Sequence, residues 1–155
     1  YQYGYEAFVK DAVAAGAEGV IIPDLPLEYS TELDAACEKH GFSNIRLVTP
    51  NMASDRLQSL GKAASGMIYA VARAGVTGKE TDFGDQLAGF LRRVRESTEV
   101  PIGVGFGVKS GDDIRFLKDK ADYGIVGTQG LKVYQESGIE GVKAFWADLA
   151  AAAAS

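Results

Sequence analysis

Five times along its 155 residues the chain repeats one phrase: an amphipathic stretch with helical spacing, then a short apolar run. The runs mostly close on Gly, Pro, Asp or Thr. Phe8 to Ala15 has helical spacing, Gly16 breaks it, and Gly19-Val-Ile-Ile-Pro-Asp24 follows as a buried strand. Glu28 to His40 is helical, Gly41 ends it, and Ile45-Arg-Leu-Val-Thr49 is the next strand. Ser54 to Ala64 leads into Met67-Ile-Tyr-Ala-Val-Ala72, and Asp82 to Glu96 into Pro101-Ile-Gly-Val-Gly105. Ser110 to Lys120 opens with a capping-box pattern, Ser110 to Asp113, and leads to Tyr123-Gly-Ile-Val-Gly127. Two helical pieces close the chain, Leu131–Glu136 and Ile139–Ala153. Short apolar runs alternating with helices imply parallel strands joined by right-handed crossovers. The runs lack period-two alternation, as expected where both faces of a sheet are covered.

The open doubly wound sheet and the closed barrel both satisfy that pattern, and the glycines separate them. In a barrel, phosphate is often held on the loops after the seventh and eighth strands, beside a short extra helix. Here the last two runs end in Gly105-Phe-Gly107 and Gly127-Thr128, the second entering a helical piece directly. Glycine lets backbone N–H groups approach phosphate oxygens, and a helix N-terminus adds its positive end. A dinucleotide fold would place its glycine turn after the first strand, with an acidic residue about 20 positions on. Gly103-Val-Gly-Phe-Gly107 does not fit that spacing. The expectation is therefore one domain over 1–155, the C-terminal portion of an incomplete (β/α)8 TIM barrel with about five parallel strands. A complete barrel has eight strands and typically about 250 residues, so three strands are expected upstream of Tyr1.

Composition excludes several functions. A net charge of −5 and the lack of a Lys/Arg-rich face argue against nucleic-acid binding. No apolar run reaches the roughly 18 residues of a membrane span, and there is no secretory signal. A single cysteine, Cys37, has no partner for an internal disulfide, which fits a reducing cytoplasm. One histidine and one cysteine without a carboxylate–imidazole cluster predict no metal site.

Three stretches carry a family likeness: Ile22-Pro-Asp-Leu-Pro-Leu-Glu28, Arg73-Ala-Gly-Val-Thr-Gly78 and Val104-Gly-Phe-Gly-Val108. In order and separation they resemble the signature segments of tryptophan synthase alpha subunits, over essentially the whole chain from the loop after the family's third strand to its last helix. The resemblance implies a lyase of tryptophan biosynthesis that cleaves indole-3-glycerol phosphate to indole and glyceraldehyde 3-phosphate. It implies a beta subunit as partner, which bears the pyridoxal phosphate, and no cofactor on the alpha subunit. The family's two catalytic carboxylates, a Glu and an Asp, belong upstream of Tyr1. The 155 residues taken alone are therefore expected to bind phosphate without turning substrate over.

The same resemblance places Tyr69 beside the substrate, Arg73 and Thr77 on a loop that closes over it, and Ile21 and Phe106 in the indole pocket. It places Gly78, Gly107, Gly127 and Thr128 at the phosphate. Thr128 stands where the family usually has serine, and Gln129-Gly130 replace small apolar residues. Each assignment has a plainer counterpart. Tyr69, Ile21 and Phe106 serve equally as core residues, and the glycines as turn or packing glycines. Asp24 reads as catalytic from its place at a strand end, whereas the resemblance gives it a loop-positioning role between Pro23 and Pro26. His40 and Cys37 read as structural, Trp146 as packed against the sheet, and Pro26–Glu28 as facing the beta subunit or simply exposed. Two other readings stand beside the lyase: a non-catalytic phosphate-binding half-barrel, and another phosphate-binding barrel isomerase or epimerase.

Overall fold

The structure, a computed structural model, describes residues 2–71, 83–105 and 107–155. Six helices alternate with six short strands: α1 (Tyr5–Ala14), β1 (Gly19–Val20), α2 (Thr31–His40), β2 (Ser43–Asn44), β3 (Arg46–Val48) and α3 (Ser54–Ala63), then β4 (Ile68–Val71), α4 (Phe83–Arg95), β5 (Ile102–Gly105), α5 (Gly111–Leu117), β6 (Tyr123–Gly124) and α6 (Thr128–Ala154). All pairings are parallel: β1 with β2, and β3-β4-β5-β6 in unbroken sequence order. β2 and β3 are one extended segment interrupted at Ile45, whose N–H still donates to the Val20 carbonyl at 2.9 Å. The spatial order therefore follows the chain order without reversal. A doubly wound sheet reverses direction at a switch point; a barrel does not.

One face of the sheet is covered by helices. Val48, Ile68, Ala70, Ile102 and Val104 alternate along β3, β4 and β5 and pack against Leu57 and Leu60 of α3, Leu87, Phe90, Leu91 and Val94 of α4, and Leu117 of α5. A second cluster joins α1 to α2 through Val9, Leu33, Ala36, Cys37 and Phe42, with Val20 and Ile22 packed on it. Along β4, Tyr69 and Val71 alternate with this buried row and are only half-buried. Within the described residues the helix side of β3, β4 and β5 is buried, while Tyr69 and Val71 on the interior side of β4 are half-buried.

Local chemistry explains most boundaries. α2 has Glu32 and Asp34 in its first turn and Lys39 and His40 in its last, each complementing the helix dipole. Gly41 ends it at φ 63°, with Gly41 N–H donating to the Glu38 carbonyl and Phe42 N–H to Cys37 (2.9 Å), a Schellman closure that only a residue tolerant of the left-handed region makes cheaply. Ser110 caps α5: its hydroxyl accepts from Asp113 N–H, while the Asp113 carboxylate accepts from Ser110 Oγ (2.8 Å) and Lys109 N–H (3.0 Å). Glu28 does not begin α2. Pro26 instead leads a 3-10 turn over Leu27–Tyr29, and the buried Ser30 donates to the Leu27 carbonyl at 2.9 Å. β1 stops at Val20, short of Asp24, because the chain turns, with Leu25 N–H donating to the Ile22 carbonyl. The closing helix breaks at Gly138, the gap expected between the last two pieces.

Arg46 is a strand residue that the apolar reading passed over. It is only 5% exposed, in the helix-side layer, where its guanidinium meets Asp34 and the Ser30 hydroxyl (3.0 Å); Asn44 donates to the same Asp34 carboxylate at 2.7 Å. Trp146 departs from its expected place on the sheet. It is 46% exposed, edge-on to Phe145, and lines a groove between α5, α6 and β6.

Candidate functional site

The carboxyl ends of β4, β5 and β6 converge on a cavity of about 340 Å³, lined by Tyr69, Gly107, Val108, Lys109, Ile125, Gly127, Thr128, Gln129 and Lys132. Sequence register explains the convergence. Tyr69 on β4 is level with Gly103 on β5, which is level with Tyr123 on β6, so the loops leaving the last two strands rise beside the Tyr69 ring.

The strand glycines make room for that ring. A Cβ on Gly105 would lie 1.8 Å from Tyr69 Oη and 2.3 Å from Cζ, and a Cβ on Gly103 would lie 2.3 Å from Met67 Cε. Period two along β5 puts both glycines on the interior face, opposite Ile102 and Val104. The pattern Gly-Val-Gly carries this signal in the sequence. The loop glycines behave differently. Among the described residues nothing lies within 4 Å of a Cβ on Gly107 or Gly127, and Gly107 sits at φ 145°, where side-chain-bearing residues are strained.

α6 begins at the cavity wall. Gly127 is its N-cap and Thr128 its first residue. The first N–H groups of a helix have no intrahelical acceptor, so the Thr128 and Gln129 amides are available to an anion, reinforced by the dipole. No carboxylate is among the described lining residues. On the other wall, burial pushes the Tyr69 hydroxyl above its usual pKa, so it stays protonated. Amides, two hydroxyls and two ammonium groups around one hollow suit an anionic oxygen cluster.

Of the residues singled out in the sequence, Tyr69, Gly107, Gly127 and Thr128 meet around this cavity. Ile21 does not line it: it follows β1 and is 37% exposed, while its neighbours Val20 and Ile22 join the helix-side core. Asp24, exposed in the turn after β1, is also not among the lining residues. Arg73, Thr77, Gly78 and Phe106 lie outside the described residues. His40 ends α2 and meets Glu6 of α1 at 2.8 Å, a structural contact, and Cys37 is buried with its thiol pushed up chiefly by burial. Pro26 and Glu28 line a shallow surface hollow with Tyr5, Tyr29, Thr31 and Glu32, and Glu28 pairs with Arg56. Sequence reading missed Lys109 and Lys132. The signal was present, since Lys132 follows Thr128 by one helical turn and Lys109 follows Gly107 by two residues. Among the described residues, no group of three or more His, Cys, Asp or Glu is placed to hold a metal ion, and no helix is long and apolar enough to cross a membrane.

Strand order and cavity together define the class: part of a parallel (β/α) barrel with its hollow at the carboxyl ends of the strands. The family model described as tryptophan synthase alpha chain matches residues 1–151. The chain is 43% identical over 145 residues to the tryptophan synthase alpha chain of Syntrophotalea carbinolica, covering 94% of this chain and 57% of that one. It is 41% identical over 150 residues to the alpha chain of Desulforapulum autotrophicum, covering 97% and 59%. Among solved structures it resembles tryptophan synthase subunit alpha from Campylobacter jejuni, with TM-score 0.81, 32% identity, and coverage of 96% of this chain and 60% of that one. The tryptophan synthase a2b2 complex from Pyrococcus furiosus gives TM-score 0.80 at 26% identity, covering 96% and 60%. The chain belongs to the tryptophan synthase alpha chain family. It spans somewhat more than half the length of these relatives, so it is an incomplete barrel.

Proposed function

We propose that the protein carrying this chain is a carbon–carbon lyase of tryptophan biosynthesis. It cleaves indole-3-glycerol phosphate to indole and glyceraldehyde 3-phosphate in the cytoplasm, beside a beta subunit that holds pyridoxal phosphate and receives the indole. These 155 residues act as one domain, the C-terminal portion of the barrel, and contribute binding. They contain no counterpart of the two carboxylates that the family likeness assigns to proton transfer.

In this reading the phosphate sits on the amides of Gly107, Gly127 and Thr128 and on the Thr128 hydroxyl. Gly78 approaches it from the neighbouring loop. Tyr69 lies against the glycerol and indole side, with Phe106 and Ile21 lining the indole. Arg73 and Thr77 belong to a loop that closes over the bound ester. Holding the phosphate fixes the glycerol carbons relative to the acid/base groups, converting binding energy at a remote group into orientation at the reacting bond. The alpha chain itself uses no cofactor.

The observation carrying this reading is the cavity, with no carboxylate among its described lining residues, that brings Tyr69, Gly107, Gly127 and Thr128 together. Calorimetry with indole-3-glycerol phosphate tests it. One saturable site, displaced by glycerol 3-phosphate and lost in Gly107→Asp, is the expected result. Absence of binding, or equal binding by Gly107→Asp, would refute it.

A further inference from the structure

Lys109 and Lys132 stand on the rim of the cavity from two different elements. Lys109 belongs to the loop between β5 and α5, and Lys132 to the first turns of α6. Both are exposed, and neither ammonium makes an ion pair among the described residues. Asp113 accepts from the Lys109 backbone N–H and the Ser110 hydroxyl, which also fixes the Lys109 backbone. Glu136, one turn beyond Lys132, is not paired with it among the described residues.

Charge makes this arrangement consequential. The chain carries a net −5, so a phosphate dianion approaches against the overall field. Backbone amides and a helix end supply only about half a positive charge. Two ammonium groups outside any ion pair among the described residues, at a cavity with no carboxylate among its described lining residues, attract a dianion more than a monoanion. Lys132 also lies on the same helix face as Thr128, four residues earlier, so its ammonium and the Thr128 hydroxyl serve one ligand.

We infer that Lys109 and Lys132 are specificity-determining residues that select a dianionic phosphate monoester at this cavity. The inference rests on the phosphate-binding reading above. Removing one unit charge at roughly 4 Å in a water-like dielectric weakens an ion pair about fivefold. Lys109→Gln and Lys132→Gln should each weaken glycerol 3-phosphate binding about fivefold at low salt, and the double variant about 25-fold if the two sites act independently. Lys→Arg at either position should retain most of the affinity, because the charge is kept.

The experiment is calorimetric titration of the chain and these variants with glycerol 3-phosphate, methyl glycerol phosphodiester and glycerol at two ionic strengths. Expected are preference for the monoester, affinity falling with salt, and a flatter salt dependence in each Gln variant. Binding by the chain with unchanged affinity and salt slope in both Gln variants would overturn the lysine inference and leave the phosphate reading standing. An effect at one lysine alone would remove the other from the assignment. No binding of glycerol 3-phosphate by the unsubstituted chain would overturn both.

Discussion

Replacing Gly105 by alanine tests how the barrel interior shapes the cavity. The new Cβ would lie 1.8 Å from Tyr69 Oη, 2.3 Å from Cζ and 2.8 Å from Cε1. Comfortable non-bonded separation is about 3.5 Å, so the hydroxyl must retreat by roughly 1.7 Å. Two ring carbons are involved besides the hydroxyl oxygen, so the whole ring must swing rather than one terminal atom. Forcing an extra methyl into a packed site costs about 1–3 kcal/mol. Truncating Tyr69 removes the obstacle, and in Tyr69→Ala the same Gly105→Ala change should cost nothing or stabilise by about 0.5 kcal/mol, since glycine no longer has to be ordered in the strand. Urea unfolding of the four proteins, followed by circular dichroism, closes the cycle. A coupling of at least about 1 kcal/mol is expected. Equal costs of Gly105→Ala in both backgrounds, within about 0.3 kcal/mol, would show that Tyr69 does not occupy the space above Gly105.

Other perturbations bear on the frame around the site. Gly61→Ala would set a Cβ 2.0 Å from the Ser97 carbonyl oxygen, a backbone atom that cannot rotate away, so a loss of about 2–3 kcal/mol in urea unfolding is expected; an unchanged midpoint would contradict the α3–α4 packing. Arg46→Ala should destabilise by about 2–3 kcal/mol, because it strands Asp34 beside a buried layer, whereas Arg115→Ala, at an exposed pair with Asp112, should cost under about 0.5 kcal/mol. Similar losses for both would rule out a special role for the buried pair. The Asp122 carboxyl is held below its usual range, first by the Ile102 N–H (2.7 Å) and then by Arg95. A depressed folded-state pKa gives stability that is present above the unfolded value near 3.9 and lost as pH falls through the folded one. Asp122→Asn should therefore lower stability at pH 7 by under about 1 kcal/mol, its partner being solvent-screened, and the difference should vanish at pH 2. Cys37, with its thiol buried and raised in pKa, should react with a thiol reagent only as fast as the native state opens, so labelling before unfolding would contradict its burial.

Much of this architecture was legible in the residues. The alternation of helices and apolar runs marks the elements, and Gly41, Ser110 with Asp113, and the gap before Ile139 mark their ends. These signals are local, a cap or a turn in each case, and local chemistry is what a sequence displays directly. The site was legible in part for a different reason. Gly107, Gly127 and Thr128 follow strand ends, where a parallel α/β fold presents its ligands. What stayed hidden depends on neighbours far apart in the chain. Gly105 looks like a ligand glycine until Tyr69, 36 positions earlier, is placed above it. Arg46 interrupts an apolar run, and only the approach of Asp34 and Ser30 from α2 explains its burial. Lys109 and Lys132 become a pair only when the β5–α5 loop and the start of α6 meet at one rim. Trp146 shows the reverse error: an aromatic residue on the last helix suggests packing, yet its surroundings leave it half-exposed in a groove.

The central claim is that the loops after β5 and β6 hold a phosphate. It is tested most directly by following backbone amide resonances of the 15N-labelled chain during titration with glycerol 3-phosphate. The account predicts saturable shifts concentrated at Gly107, Gly127 and Thr128, with Gln129 next in size and α1 and α2 unmoved. Saturation with those three amides unshifted, or shifts centred on another part of the chain, would contradict it.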